Sequence, residues 1–418
     1  MLNHTRLSIP LNRVAFFLRG NAARLSFGFC LMYSSAAIFK KVGYAALLVY
    51  CIVAAAALWW ATARFFPWLR ARRVRPWAYM LAAAALFVGV LCLYLYAHPR
   101  IDTAGFRIGA VVVGASDNDD AIDVAIDELR AGRYPYYART FLGGPLSPLP
   151  GALLLALPFY LVGDSALQNV FWTAVFFWFV QRHTRSLRVA VELAVLVLLL
   201  SPNVLYQIAQ GIDYGANAIY VFIFAALLVM NVRRGGGVSG RAVLYAVLLG
   251  IGLSSRLNFL LIVPFVFVAL LRAASWKSAI VLSAVVFIAF VAITAPFYVY
   301  DPAGFSPLHT FNKIGGAASG NGLFRWAPVF VPIIGGLLAG ALVLRSRASY
   351  DLNAMARDMA VVTAFLAIAG FVTSSVARNH LHFDSLHFGM LFVFFGAFGF
   401  GPELLVTTQA SQFPKAKH

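Results

Sequence analysis

Residues Trp77–Tyr96 read WAYMLAAAALFVGVLCLYLY, an uncharged run that matches the ~20 residues needed to cross the hydrocarbon of a bilayer. Arg70, Arg72, Arg73 and Arg75 precede it, and a stretch crowded with acids follows. Lipid offers the backbone no water, so such a run must be helical. Comparable runs recur along the chain. Of 418 residues, 61% are apolar and 11% charged, well below the ~25% charged of a soluble domain. The reading is an all-α, polytopic transmembrane helical bundle, with no second, soluble domain.

The expected spans, about 11, are Gly43–Ala61, Trp77–Tyr96, Ala166–Val180, Val189–Ile208, Ala216–Asn231, Ala242–Ser254, Leu257–Leu271, Ser278–Tyr298, Trp326–Leu344, Met359–Val376 and Phe388–Leu405. A formal charge of +18 suggests nucleic acid until its distribution is read. The arginines sit in short loops: Arg70–Arg75, Arg182–Arg188, Arg233–Arg241 and Arg345–Arg347. That is the positive-inside pattern, and no continuous basic face remains for nucleic acid. Placing these loops in the cytoplasm puts residues 97–165, 209–215, 299–325 and 377–387 outside, in a multi-pass protein of the bacterial inner (plasma) membrane. Cys30, Cys51 and Cys92 lie in apolar runs at unrelated spacing and read as small core residues.

The ends fit less simply. Residues 1–42 are basic, yet the rule as applied leaves them outside. They read as an amphipathic arm at the interface, with Met32 a second candidate start. Residues 43–407 form the membrane domain, and 408–418 a cytoplasmic tail. Pro148–Val162 is apolar but short and proline-punctuated, so Ala152–Val162 is expected as a helix lying in the outer interface.

The chain has 15 acids, and Asp102, Asp117, Asp119, Asp120, Asp123, Asp127 and Glu128 share one stretch. Acids contribute little to topology, so the crowding has another cause. Residues 114–141 read GASDNDDAIDVAIDELRAGRYPYYARTF. Ile122, Ala125, Ile126 and Leu129 recur at helical spacing, with Asp120, Asp123, Asp127 and Arg130 opposite. Asp117 or Asp119 can cap the helix start, and Gly132 suits its end. Asp123, Asp127 and Glu128 read as solvated helix acids. Asp117, Asp119 and Asp120 crowd at the helix start, where paired carboxylates can act as a general base or hold a divalent cation.

This ordered set resembles the polyprenyl-phosphate-dependent glycosyltransferases of the GT-C superfamily. The match covers SDNDDAIDVAIDELRAGRYPYY (116–137) and LGGPLSPLPGALLLALPF (142–159): acids, an amphipathic helix, a Gly-x-x-Pro-Tyr turn and a proline-led apolar segment. The resemblance implies a catalytic base among Asp119, Asp120 and Asp117. It implies a cavity-facing acid at Asp213 in QGIDYGANAIY, a residue that also suits the start of the helix at Ala216. It implies a ligand for the lipid phosphate at Arg256 in SSRLNFLLIVP, where snorkelling to the interface is the other reading. His309 in PLHTFNK is a further phosphate contact or a plain loop residue, and His380 and His382 read as polar cavity wall. Tyr134, Tyr136 and Tyr137 read as interface anchors. The acids run Asp-Asn-Asp-Asp instead of the Asp-Glu pair of several subfamilies.

What the resemblance implies is sugar transfer outside the membrane, with inversion. The donor is a polyprenyl-phosphate sugar, the acceptor a glycan, lipid or protein, and a divalent cation (magnesium or manganese) the one cofactor. The rival readings are a transporter or flippase for lipid-linked sugars and a non-catalytic scaffold. Transporters tend to carry internal repeats and broken midplane helices, and no repeat is visible.

Overall fold

The structure, a computed structural model, describes residues 11–72, 74–101, 106–108, 111–113, 117–308, 326–345 and 350–407. The chain opens with α1 (Leu11–Val42) and α2 (Tyr44–Trp60), which continues through a π-helical turn into α3 (Phe66–Ala71). Then come α4 (Pro76–Ile101), a two-stranded antiparallel hairpin pairing Phe106–Ile108 with Val111–Val113, and α5 (Asn118–Arg130). The bundle goes on with α6 (Pro150–Val162), α7 (Leu167–Thr184), α8 (Leu187–Leu200), α9 (Pro202–Ala209), α10 (Tyr214–Gly235) and α11 (Gly240–Leu253). A 3-10 stretch, Leu257–Ile262, leads into α12 (Val263–Ala273) and α13 (Trp276–Tyr300). The described chain ends in α14 (Ala327–Arg345), α15 (Leu352–Ala377) and α16 (Met390–Thr407).

Every expected span falls mainly on helix, though one of them is broken. Among the described residues, seven helices are long and apolar enough to cross a membrane, and nine if each bent pair counts as one. Ala242–Ser254, Leu257–Leu271 and Trp326–Leu344 fall on apolar helices shorter than that. An all-α bundle therefore holds, apart from the small hairpin. α10 and α16 are buried along most of their length, whereas α4 and α13 turn most of their surface outward, as apolar helices at a lipid boundary do.

Three expectations need correction. The first is the N-terminal arm: Asn21–Val42 is long and apolar enough to be a span, and it packs into the bundle against α16 and α2. Glycines admit it. A Cβ on Gly396 would lie 2.4 Å from the Cys30 sulfur, and one on Gly389 2.6 Å from the Tyr33 ring. Arg24 Nε donates to Thr62 Oγ1 at 3.1 Å, which puts the start of α1 at the arginine-rich end of the bundle. Counting this crossing removes the misfit between the basic N-terminal segment and the positive-inside rule.

The second is the straight span Val189–Ile208, which breaks between α8 and α9 with a 78° bend. Pro202 has no N–H to continue the helix, and Ser201 before it leaves helical geometry at ψ 74°. The third is the rotation of α5. Ile122, Ala125 and Ile126 are buried as expected, but Asp119 is buried with them and Leu129 is exposed. α6 turns 108° away from α7 at Gly163, so it does not extend that helix as a second straight crossing.

At the arginine end, Arg70 donates to both oxygens of the buried Glu192 at 3.4 and 2.7 Å and ties α3 to α8. The acids of α5 lie at the opposite end, with the C-termini of α4 and α11 and the N-termini of α7 and α10.

Candidate functional site

The last turn of α4 carries His98 inward. Its ring stacks on Tyr94 with centroids 5.2 Å apart, and Nδ1 lies 3.0 Å from the Ala209 carbonyl. A proton on Nδ1 satisfies that carbonyl and turns Nε2 toward two carboxylates. Asp164 Oδ2 is 2.8 Å away and Asp119 Oδ2 3.5 Å. Asp164 opens α7, taking the Ala166 N–H at 2.7 Å and the Tyr94 hydroxyl at 2.9 Å. Two carboxylates facing a bare imidazole lone pair would repel it. The arrangement is satisfied by a proton on Nε2 or by a cation among the three groups, whose ligand atoms lie within 4.8 Å of one another. One nitrogen and two carboxylates suit a divalent ion such as manganese, and the Ala209 carbonyl supplies the outer support that fixes a ligating histidine.

The three acids at the start of α5 do different things. Asp119 is buried against Gly211, between α9 and α10. Gly211 holds φ at 69°, and a Cβ there would stand 2.4 Å from Asp119 Oδ2. Asp117 occupies the cap position without capping; it takes the Thr140 hydroxyl at 2.6 Å. Asp120 takes the Phe141 N–H at 2.8 Å. Both therefore hold the loop after α5 in place. Gly132 ends α5 as expected, with Arg133 N–H reaching back to the Glu128 carbonyl at 2.8 Å.

The Gly211 fit makes a prediction. Gly211→Ala meets both the positive φ and the Asp119 clash, so it should cost about 1–3 kcal/mol and displace Asp119. Gly235→Ala, with open space around its Cβ, serves as control. Thermal melting of the two purified variants checks this; equal midpoints would show that Gly211 does not fix Asp119.

Asp123 is half-buried beside this set and is not a solvated helix acid as the sequence suggested. Burial raises its carboxyl to about 6, with the nearby Asp164 charge adding to the rise. A folded-state carboxyl that holds its proton more tightly than the unfolded chain loses stability as it ionises. Stability should fall as pH rises from about 4 to about 6, and Asp123→Asn should remove that slope. Melting temperatures across this window test it, and a slope shared by wild type and variant would contradict it.

A second centre lies on the other side of residues 209–215. Asp213 is fully buried and makes no capping bond to α10. Its Oδ1 takes Arg256 Nη2 at 2.5 Å and its Oδ2 takes Asn217 Nδ2 at 2.8 Å. The Arg256 guanidinium lies 4.6 Å over the Tyr214 ring, and the side chain is 11% exposed, so it does not snorkel to the surface. Arg256 Nε is buried with no hydrogen-bond partner among the described residues. The segment Pro148–Gly151 holds this arginine in place through the backbone. Leu149 N–H meets the Ser255 carbonyl at 3.2 Å and Gly151 N–H the Ser254 carbonyl at 2.8 Å. Only glycine fits there, since a Cβ on Gly151 would meet the Ile251 carbonyl at 2.1 Å.

Arg256 lines an apolar cavity of about 500 Å³, walled by Tyr214, Leu261, Val331, Leu366, Gly370 and Leu391 among others. Ser147 and Leu149, which follow the loop that Asp117 and Asp120 hold at residues 140–141, also line this cavity.

His309 lies outside the described residues. Arg378, His380 and His382 are at the surface or close to it, with Arg378 Nη1 3.3 Å from His382 Nδ1. Of the three tyrosines expected as anchors, Tyr136 is buried and donates to the Pro148 carbonyl at 3.1 Å. Tyr134 and Tyr137 bridge instead to the end of α13, through the Phe297 carbonyl and Asp301. His98 and Asp164 went unnoticed in the sequence. Their signal was there: each is ionisable and lies at the end of an apolar run, where such a group usually faces a cavity. Comparison with protein-family models, curated proteins and solved structures returns no match.

Proposed function

We propose that the chain is a membrane glycosyltransferase of GT-C type, moving a sugar from a polyprenyl-phosphate donor to an acceptor hydroxyl. One observation carries the reading: an apolar cavity has a largely buried, counter-ion-held arginine in its wall, and the same end of the bundle holds His98 between the buried Asp119 and the half-buried Asp164. A long hydrocarbon chain fits such a cavity, and the fork of Arg256, with a free Nε, suits a phosphate. Asp213 fixes the direction of that fork.

In the proposed reaction the acceptor hydroxyl attacks the anomeric carbon, and a carboxylate of α5 takes its proton. The bond from the anomeric carbon to the phosphate oxygen breaks on the opposite face. The electron pair leaves with polyprenyl phosphate, whose charge Arg256 balances, and the configuration inverts. Asp119 is the preferred base, with Asp120 and Asp117 next, since these two also hold the adjoining loop. His98 and Asp164 would hold a divalent cation, which when bound supplies a Lewis acid and a fixed positive charge, while Asp119, farther from the His98 ring, keeps its carboxylate for the proton.

Filling the cavity tests donor placement. Gly370 faces the cavity with no atom within 4 Å of a built Cβ, so Gly370→Phe adds a ring where the lipid chain would lie without a backbone clash. Binding of a polyprenyl-phosphate sugar should weaken at least about tenfold, roughly the 1.4 kcal/mol expected for a lost lipid segment, with melting unchanged. Unaltered donor affinity would place the chain elsewhere. Movement of the intact donor across the bilayer without sugar transfer would support the transport reading instead.

A further inference from the structure

Outside this site, α4, α7 and α8 enclose a second apolar recess, at the arginine end of the bundle. A groove of about 240 Å³ runs between Phe87 of α4, Ala174 and Trp178 of α7, and Ala190 of α8. It shares Phe87, Val170, Ala174 and Trp178 with a further groove of about 410 Å³ that continues along α7 toward Leu167. The two make one continuous furrow. Phe87 and Trp178 are 46% and 54% exposed, so the furrow opens sideways, where lipid would surround the helices.

Its arginine end is not apolar. Gln181 and Leu187 close it. The Arg182 guanidinium lies 5.5 Å over the Trp178 ring, and Arg188 follows Leu187 directly. Glu192 is the acid among these groups, and Arg70 already occupies both of its oxygens. Arg188 Nε stands 3.9 Å from Glu192, too far for a hydrogen bond, and is buried with no partner among the described residues. A lipid-facing furrow thus ends beside three arginines, Arg70, Arg182 and Arg188, against the one carboxylate of Glu192.

We propose that this furrow is a binding site for an anionic phospholipid of the arginine-side leaflet. One acyl chain lies along Phe87, Ala174 and Trp178, and the headgroup phosphate is held by Arg188 and Arg182. The charge fixes the choice of occupant. A zwitterionic lipid would bring a cation of its own into an arginine cluster, whereas an anionic one completes it. The site is independent of the glycosyl-transfer reading.

The test uses the full chain in nanodiscs and lipids brominated in the acyl chain, which quench nearby tryptophan. Brominated phosphatidylglycerol should quench more than brominated phosphatidylcholine at equal content, and the excess should vanish in Trp178→Phe. Arg188→Gln should weaken phosphatidylglycerol association about fivefold, the ~1 kcal/mol of one basic residue near the membrane surface. Glu192 keeps Arg70 in that variant, so the fold is spared, and Ala174→Phe blocks the furrow without altering any charge. Equal quenching by the two lipids would overturn the proposal. So would an excess that survives in Trp178→Phe, or in both Arg188→Gln and Ala174→Phe.

Discussion

Asp119→Asn is expected to lower sugar transfer by about 10²–10⁴-fold, the usual worth of a general base, while donor binding persists. Asparagine keeps the size and one acceptor oxygen and removes the basicity. Asp120→Asn and Asp117→Asn set the comparison, because an asparagine oxygen can still accept the Phe141 N–H or the Thr140 hydroxyl. Both should retain most of the activity. A steady-state rate with saturating donor separates the cases. If Asp117→Asn fails while Asp119→Asn works, the base is the acid that faces Thr140 and not the one against Gly211. Asp123→Asn is not a neutral control, since Asp123 is half-buried near Asp164.

Removing either member of the Asp213–Arg256 pair is expected to have the largest effect on stability. Each variant strands a buried charge, which typically costs about 3–5 kcal/mol. Asp213→Ala should be the more severe, because Asn217 then also loses its acceptor. Arg256→Gln should also abolish donor binding, and Arg256→Lys should keep the charge but lose the fork. The double variant Asp213→Asn/Arg256→Gln should be milder than the sum of its parts, since no uncompensated charge remains. Melting of wild type, Asp213→Asn, Arg256→Gln and the double variant measures the coupling. Strict additivity would mean that the two groups do not stabilise one another.

Much of the fold was legible because lipid leaves the backbone few options. Uncharged runs as long as a bilayer is thick must be helices, and arginine loops mark one end. The first span was missed because Arg24, Lys40 and Lys41 lower its hydropathy, and its place against α16 depends on Gly389 and Gly396, whose contacts are remote in sequence. The break at Pro202 was open to reading, since a proline after Ser201 disfavours a continuous helix.

The site was legible in pieces. Asp119, Asp213 and Arg256 each stood out by chemistry, but no spacing reveals that Asp213 is the counter-ion of Arg256, 43 positions away. Periodicity placed α5 on a surface and misjudged its rotation, because a stripe of Ile and Ala does not show that Asp119 and Asp123 turn inward beside it. His98 and Asp164 gain meaning only when the ends of α4 and α7 meet.

The most direct measurement is turnover by the purified wild-type chain in nanodiscs, with a panel of polyprenyl-phosphate sugars, simple glycan and lipid acceptors, and manganese added or chelated. The account predicts release of polyprenyl phosphate matched mole for mole by a new glycosidic bond of inverted configuration, lost in Asp119→Asn and Arg256→Gln. Release that is the same in wild type and both variants, or binding of the donors without any bond formed, would contradict it.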